Sequence, residues 1–229
     1  MRRSLAALCL ALLLAGCGSG GSSSSSGQTS SNGASLPKTF GGCARVAQPN
    51  PKSNTNVSRP KAALPAGRTY TVDLDTTCGK ISVRLDTARA PKTTASFAGL
   101  VRKGFYDDLT FHRISNPNGR PFVIQGGDPL GTGLGGPGYT VVERPPGNLK
   151  YTRGTVAMAK SANQPRGASG SQFFIVTAPS APLPPDYALV GKVVGGDDVV
   201  TKIQKLPTDS QSEAPLRPVV IRKATLRTS

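Results

Sequence analysis

Two neighbouring segments alternate apolar and polar residues, and this alternation limits the possible folds more than any other feature of the chain. Residues 68–75 (RTYTVDLD) and 80–86 (KISVRLD) flank a short turn that ends at Gly79. A period of two places the apolar side chains on one face of each strand, so the segments predict a β-hairpin with one buried face. The 27 glycines and 20 prolines among 229 residues interrupt the chain too often for a coiled coil or a helical bundle.

Two helices and six further strands complete the predicted fold. Pro91 suits the first turn of a helix that runs to about Lys103, and a second helix covers Asp197–Leu206, with its acids at the positive end of the helix dipole. Because closure removes exposed strand edges, the order of elements predicts a mainly β fold, a closed eight-stranded barrel capped by two helices. The six further strands are predicted at Thr110–Ile114, Phe122–Gln125, Thr155–Ala159, Phe173–Thr177, Ala188–Val193 and Val219–Leu226.

The first seventeen residues, MRRSLAALCLALLLAGC, have the form of a lipoprotein signal peptide. Arg2 and Arg3 precede an apolar run that is too short for an ordinary membrane span. The small residues Ala15 and Gly16 before Cys17 resemble the lipobox of bacterial lipoproteins, in which the cysteine is acylated. We therefore expect lipidation at Cys17 and a protein held on a bacterial membrane, outside the cytoplasm. An ordinary signal peptide with a chance cysteine is the alternative.

Three segments follow the signal peptide. Residues 18–37 form a Gly/Ser-rich flexible tether, residues 38–65 a basic, Pro-containing arm, and residues 66–229 the globular domain. The net charge of the whole chain is +16. We interpret it as surface chemistry and expect no nucleic-acid partner, because no lysine cluster or arginine-rich helix accompanies it. The domain is expected to be a monomer.

Two cysteines lie outside the predicted signal peptide. An even pair in an exported protein favours a disulfide, here between Cys43 and Cys78, and two unpaired thiols are the alternative. Neither cysteine belongs to a Cys-x-x-Cys motif, which argues against redox catalysis. His112 is the only histidine, so a His-rich metal site is excluded. We expect neither a metal nor a cofactor.

Two Gly-rich motifs point to other functions but lack the required context. Residues 131–136 fit the dinucleotide pattern G-x-G-x-x-G, yet Pro137 and a β-like segment follow where a helix is needed. Residues 167–171 (GASGS) resemble a nucleophile elbow without its last glycine and without a preceding strand. We interpret the first motif as a loop and expect no serine hydrolase.

Several spaced blocks resemble the cyclophilin family of peptidyl-prolyl isomerases, from about Tyr70 to Leu226. The resemblance implies an eight-stranded barrel with two capping helices. It also implies an enzyme that catalyses rotation about X-Pro bonds in Pro-containing polypeptides, and the signal peptide suggests that these are exported proteins. The matching blocks are Ala90–Thr94, Gly104–Tyr106, Phe111–Ile114, Phe122–Pro129 and Gly170–Ile175.

The resemblance also implies roles for individual residues. Arg113 matches the donor to the imide nitrogen, and Gln125 matches the residue that holds this guanidinium and the substrate carbonyl. The remaining implied residues bind substrate, either by lining an apolar slot for the proline ring or by contacting the substrate backbone. They are Phe122, Val123, Phe174 and Leu183 for the slot, Ala159, Lys160 and Gln172 for the backbone, and Tyr187, where many members have histidine.

This chain departs from the family pattern in ways that affect ligands more than catalysis. Residues 115–121 form a longer loop than usual, and Lys160 replaces a frequent asparagine. Pro182 stands where many eukaryotic members have a tryptophan, on which cyclosporin packs in sensitive members. The alternative function is a non-catalytic cyclophilin-like chaperone or Pro-segment binding module of the cell envelope. The presence of both Arg113 and Gln125 favours the enzyme.

Overall fold

The computed structural model describes residues 38–52 and 55–229. The signal peptide, the lipidation site Cys17 and the tether were predicted in residues 1–37 and lie outside the described residues. Within the described ranges, no helix combines the length and the apolar character needed to cross a membrane.

The secondary structure is mainly β. Within the described residues the helices are α1 (Pro91–Arg102), α2 (Asp197–Gln204) and a short 3₁₀ turn at Pro117–Gly119. The strands are β1 (Thr39–Phe40), β2 (Cys43–Ala44), β3 (Tyr70–Thr76), β4 (Gly79–Leu85), β5 (Leu109–Ser115), β6 (Val123–Asp128), β7 (Val141–Val142), β8 (Tyr151–Thr152), β9 (Thr155–Met158), β10 (Ala168–Ser169), β11 (Phe173–Val176), β12 (Ser180–Ala181), β13 (Leu189–Gly195) and β14 (Val220–Thr228).

Eight of these strands close into an antiparallel barrel, in the spatial order β11-β6-β5-β14-β3-β4-β13-β9. All eight correspond to predicted strands, so the predicted fold class is confirmed. The hairpin of β3 and β4 has the expected alternation, since Val72, Leu74, Ile81 and Val83 are all fully buried. Closure leaves no free edge among these strands, which explains why a chain with short strands is stable as one sheet.

Three further pairs of two-residue strands lie outside the predicted barrel, and of these only β7 falls in a segment that the sequence showed as β-like. β1 pairs with β2, β7 with β10, and β8 with β12, all antiparallel. Two residues carry no detectable periodicity, so these strands depend on segments that the barrel brings together.

The helix α1 is capped by a distant carboxylate. The backbone N–H groups of Lys92 and Thr93 donate to the two oxygens of Glu143, at 3.0 and 2.7 Å. A negative charge at this end is favourable because unpaired N–H groups and the helix dipole make it positive. The inner face of the helix buries Phe97, whose ring lies 5.0 Å from that of Tyr106, centroid to centroid.

The basic arm belongs to the domain, contrary to the predicted start near residue 66. The described residues of the arm belong to the same compact unit as the barrel, and Phe40, Val57 and Leu64 pack against the main core. The Nζ atom of Lys52 donates to the carbonyl oxygens at the end of α1, with a 2.8 Å contact to Phe105. The sequence suggested a separate arm because the segment is basic and contains several prolines, whereas three apolar anchors and one half-buried lysine hold it to the domain.

A disulfide joins the arm to the first hairpin. Cys43 in β2 and Cys78 in the β3–β4 turn have an S–S distance of 2.05 Å and close a loop across a sequence separation of 35. Both side chains are buried in the main core. The backbone N–H of Ala44 also donates to the carbonyl of Thr77, at 2.7 Å, so the link is reinforced by a backbone hydrogen bond.

Candidate active site

A row of directly opposed residues crosses three barrel strands. Arg113 of β5 pairs with Gln125 of β6, and Gln125 pairs with Phe174 of β11. A register shift between Phe111 and Arg113 creates this alignment, because a bulge changes the direction of the side chains that follow it. Directly opposed residues lie close enough for their side chains to interact. The barrel therefore places a guanidinium, an amide and an aromatic ring side by side.

Polar side chains form a chain of hydrogen bonds along this row. Nη1 of Arg113 donates to Oε1 of Gln125 at 3.3 Å, and Nε2 of Gln125 donates to Oε1 of Gln172 at 3.0 Å. Gln172 in turn donates to the carbonyl oxygens of Gly133 and Gly135, at 2.8 and 3.0 Å. The loop that contains the dinucleotide-like motif thus accepts hydrogen bonds from Gln172. The next element after this loop is the strand β7, not a helix.

Two residues that sequence reasoning missed hold the guanidinium from its other side. Nε of Arg113 donates to Oε2 of Glu213 at 2.6 Å, and Nη2 donates to Oγ of Ser115 at 3.2 Å. The hydroxyl of Ser115 then donates to Oε1 of Glu213 at 2.8 Å. No local signal could have identified Glu213, because it is 100 residues from Arg113 and belongs to none of the matching blocks.

The predicted apolar residues form one hydrophobic cluster, separate from the main core. Val123 and Phe174 are buried in it, while Phe122, Ala159, Leu183 and Tyr187 are partly buried against it. The rings of Phe174 and Tyr187 pack edge to face, with centroids 5.4 Å apart. Partly buried apolar side chains around a buried base are what a slot for a proline ring requires, since such sites are concave and mostly apolar.

Tyr151 supports this cluster and was not predicted. It is fully buried, its hydroxyl donates to the carbonyl of Tyr187 at 2.7 Å, and it accepts from the Tyr187 N–H at 3.0 Å. Burial raises the pKa of Tyr151 to about 12, so the hydroxyl stays protonated and remains a donor at neutral pH. It fixes the backbone of Tyr187 at the rim of the slot.

A cavity of about 410 Å³ lies next to the polar row. Its walls include four of the predicted site residues, Gln125, Ala159, Lys160 and Gln172, but none of the apolar slot. The Nζ atom of Lys160 lies 5.8 Å from the centroid of the Tyr187 ring, within the range of a cation–π contact. A polar cavity thus lies close to the apolar cluster.

Residues 115–121, the longer loop, are exposed over residues 117–120. The 3₁₀ turn at Pro117–Gly119 folds the extra residues outward, and the N–H of Phe122 donates to the carbonyl of Ser115 at 3.2 Å. This bond closes the loop at its base. Phe122 therefore lies directly before β6, the neighbour of the strand that carries Arg113.

Gly127, two residues after Gln125, lies where a larger residue would clash with the backbone. Its φ is +84°, and a Cβ there would lie 2.6 Å from the carbonyl oxygen of Ser171. The Ser171 hydroxyl donates to the carbonyl of Gly127 at 2.8 Å and is fully buried. Ser169 is buried as well, and its hydroxyl donates to the carbonyl of Val141. These serines serve as structural donors rather than nucleophiles.

His112 precedes Arg113 in β5, and neither of its buried ring nitrogens has a hydrogen-bond partner among the described residues. Burial lowers the pKa of His112, with a smaller opposing effect of Asp128 and a further lowering by Arg113. The imidazole is therefore neutral at pH 7. Among the described residues, no group of His, Cys, Asp and Glu side chains is arranged to hold a metal.

This lowered pKa predicts a pH-dependent stability. The unfolded chain takes up a proton on His112 near its ordinary pKa of 6.5, whereas the folded chain does so only at lower pH. The contribution of neutral His112 to the free energy of unfolding is therefore fully present above pH 6.5. It is lost as the pH falls towards the pKa of His112 in the folded chain. We expect the Tm to fall between about pH 7.5 and about pH 5.5. His112→Gln removes the only histidine and should flatten this slope, as measured by calorimetry. An unchanged slope in the variant would contradict the assignment.

The fold and the site define a class of protein: a closed eight-stranded barrel with two helices that presents arginine and glutamine beside an apolar slot. Residues 71–226 match the model of the family described as cyclophilin type peptidyl-prolyl cis-trans isomerase/CLD. The chain belongs to this family, and its members are peptidyl-prolyl isomerases, so the predicted resemblance and the predicted enzyme class are confirmed.

Named relatives agree with the family assignment. The chain is 40% identical over 157 residues to peptidyl-prolyl cis-trans isomerase ppi1 of Schizosaccharomyces pombe, covering 67% of this chain and 96% of that protein. It is 39% identical over 157 residues to peptidyl-prolyl cis-trans isomerase-like 1 of Mus musculus, covering 67% and 90%. The peptidyl-prolyl cis-trans isomerase-like 2 of Rhizopus delemar is 39% identical over 154 residues, but there the match covers 65% of this chain and only 27% of the relative.

A solved structure is similar as well. The crystal structure of the Cryptosporidium parvum cyclophilin type peptidyl-prolyl cis-trans isomerase, obtained in the presence of the dipeptide Ala-Pro, superimposes with a TM-score of 0.62. It is 30% identical in sequence, and the match covers 69% of this chain and 98% of that one. The barrel described above is thus the barrel of a family member.

The predicted location is wrong. We expected a lipid-anchored protein of a bacterial envelope, but similar relatives are eukaryotic proteins from fungi, Arabidopsis thaliana and Mus musculus that are named as isomerases. The expectation depended on a short pattern around Cys17, outside the described residues. Two small residues before a cysteine do not by themselves specify acylation. The anchor and the role with exported proteins that depended on it are therefore withdrawn.

Proposed function

We propose that this chain catalyses cis–trans rotation about X-Pro bonds with Arg113 as the transition-state donor. The observation that carries this proposal is the row in which Arg113, Gln125 and Phe174 are directly opposed on neighbouring strands. The row places a permanently charged donor two strands away from a buried aromatic ring. A proline ring in the apolar slot would then lie beside the guanidinium.

The chemistry requires neither a covalent step nor a proton transfer. Rotation about the X-Pro bond breaks amide resonance, with a barrier of roughly 18–20 kcal/mol. As the bond twists, the imide nitrogen becomes pyramidal and regains a lone pair that can accept a hydrogen bond. Arg113 supplies an N–H donor to this lone pair. Because the planar ground state has no such acceptor, the interaction stabilises mainly the transition state and therefore raises the rate.

The other site residues hold the peptide while the bond turns. Gln125, fixed between Arg113 and Gln172, can donate to the carbonyl that precedes the proline. The adjacent cavity is bordered by Ala159, Lys160 and Gln172. These residues contact the backbone of the substrate. Holding one side of the bond while the apolar slot holds the ring restricts motion to rotation, which reduces the entropy lost on reaching the transition state.

The alternative is a cyclophilin-like module that binds Pro-containing segments without catalysis. An exchange measurement by NMR on an X-Pro peptide distinguishes the two. The enzyme should broaden and merge the cis and trans signals at a catalytic concentration, whereas a binding module shifts the signals only when it is stoichiometric. Absence of acceleration by correctly folded protein would refute the catalytic proposal and leave the binding module.

We expect cyclosporin to bind weakly. Pro182 lies exposed beside the slot residue Leu183, and the chain contains no tryptophan to supply indole area and an N–H donor. Introducing an indole with Pro182→Trp should tighten binding by roughly fivefold, since a specific aromatic contact contributes about 1 kcal/mol beyond area burial. Pro184→Trp is the matched control, and calorimetry is the measurement. Tight binding to the unmodified chain would show that another side chain supplies the contact.

A further inference from the structure

We propose that Glu213, acting together with Ser115, is a positioning residue that sets the orientation of the Arg113 guanidinium for catalysis. This inference rests on the function proposed above and extends it to a loop that lies outside the matching blocks.

A guanidinium has five N–H groups in a rigid plane. In this structure three of them donate to Glu213, Ser115 and Gln125, from Nε, Nη2 and Nη1 respectively. Each terminal nitrogen therefore keeps one N–H that the described residues do not use. Since the plane is rigid, the three bonds determine where these two N–H groups point.

Glu213 contributes more than an ordinary surface partner would. Its two oxygens accept from different groups, Oε2 from Arg113 at 2.6 Å and Oε1 from Ser115 at 2.8 Å. Ser115 also accepts from Nη2 of Arg113. The three side chains thus form a closed ring of hydrogen bonds. Rotation of Arg113 about its own side chain would break at least two of these bonds at once.

The backbone holds Glu213 against the strand that carries Arg113. The N–H of Ile114 in β5 donates to the carbonyl of Glu213 at 2.8 Å, and the N–H of Glu213 donates to the carbonyl of Asp209 at 3.0 Å. The φ of Glu213 is +56°, a left-handed conformation that non-glycine residues seldom adopt. An isolated bridge between Thr208 and Pro215 closes the same loop. The loop is therefore built to present this carboxylate at one position.

The ion pair of Arg113 and Glu213 is too exposed to contribute much to the stability of the fold. The side chains of Arg113 and Glu213 are 38% and 32% exposed, and ion pairs with this much solvent contact contribute little to the free energy of folding. Without the carboxylate, the long side chain of Arg113 would retain its charge but lose its fixed orientation. Loss of Glu213 should therefore affect the turnover rate and leave the melting temperature nearly unchanged.

The test compares Glu213→Ala and Glu213→Gln with the unmodified chain in an X-Pro exchange assay. Since misplacement of a catalytic group lowers turnover, we expect Glu213→Ala to lower kcat about tenfold with KM within about twofold. Glu213→Gln keeps an acceptor for Nε and should recover about a third of the activity. Asp197→Ala is the control, because Asp197 forms the corresponding pair with Arg153 at 2.9 Å away from the site. The control should be fully active.

A double-mutant cycle and an NMR signal separate positioning from a general structural effect. In the Arg113→Ala background, Glu213→Ala should cause no further loss, because there is no guanidinium left to orient. The Nε–H signal of Arg113 should exchange slowly with water in the unmodified chain and quickly in Glu213→Ala. Equal losses from Glu213→Ala with and without Arg113 would overturn the inference.

The outcomes also distinguish this inference from the function on which it rests. An inactive unmodified chain would refute the proposed function. An active chain that loses activity in Arg113→Ala but not in Glu213→Ala would retain the function and refute the positioning role alone. A fall in Tm that parallels the fall in kcat would likewise assign Glu213 to folding and refute the inference.

Discussion

Replacing Arg113 with alanine should lower kcat/KM by at least about tenfold while the barrel stays folded. A hydrogen bond from a charged donor contributes roughly 1.5–3 kcal/mol, which corresponds to about 10- to 150-fold in rate when it forms only in the transition state. Arg113 lies on the outer face of β5 with 38% of its side chain exposed, so its removal leaves no cavity in the core. The measurement is the catalysed exchange rate of an X-Pro peptide.

A matched arginine provides the control. Arg153 is also 38% exposed, also pairs with a carboxylate, Asp197, and lies outside the row of site residues. Arg153→Ala should keep full activity. Arg113→Lys keeps the charge but loses the planar fork that contacts Glu213 and Gln125, so it should recover little. Full activity in Arg113→Ala would show that binding in the slot alone accounts for catalysis.

The second large effect is expected from the disulfide. Replacing both Cys43 and Cys78 with serine should lower the free energy of unfolding by about 4 kcal/mol, the chain-entropy value for a loop of this length. The link ties the arm to the first barrel hairpin, so its loss gives the unfolded chain more freedom and loosens the arm. For a domain of this size, Tm should fall by roughly 10 °C.

Reduction offers a control within the same molecule. The unmodified chain treated with a reductant should melt at the temperature of the double variant, and the reductant should have no effect on the variant itself. Thiol labelling under denaturing, non-reducing conditions should modify neither Cys43 nor Cys78 in the oxidised chain. Free labelling of both, or an equal Tm with and without reductant, would contradict the structural role of this bond.

Much of the barrel could be predicted because its strands are encoded locally. The alternation in 68–75 and 80–86 and the helix signals at Pro91 and Asp197 depend only on neighbours in the chain. The slot and row residues, Arg113 and Phe174 among them, could be identified because they lie inside blocks with a recognisable order. The strand and helix signals are short, whereas the resemblance depends on the order of several short blocks along the chain.

Other features were decided by the tertiary structure. Glu213 reaches Arg113 across 100 residues, and Tyr151 reaches Tyr187 across 36, so neither contact leaves a local pattern. The two-residue strands and the packed arm depend in the same way on surfaces that exist only after the barrel has closed. The sequence by itself therefore determined the eight barrel strands, the two helices and the identity of the residues proposed for the row. The partners that orient this row came from the fold, because hydrogen bonds between distant segments require a geometry that only closure of the barrel creates.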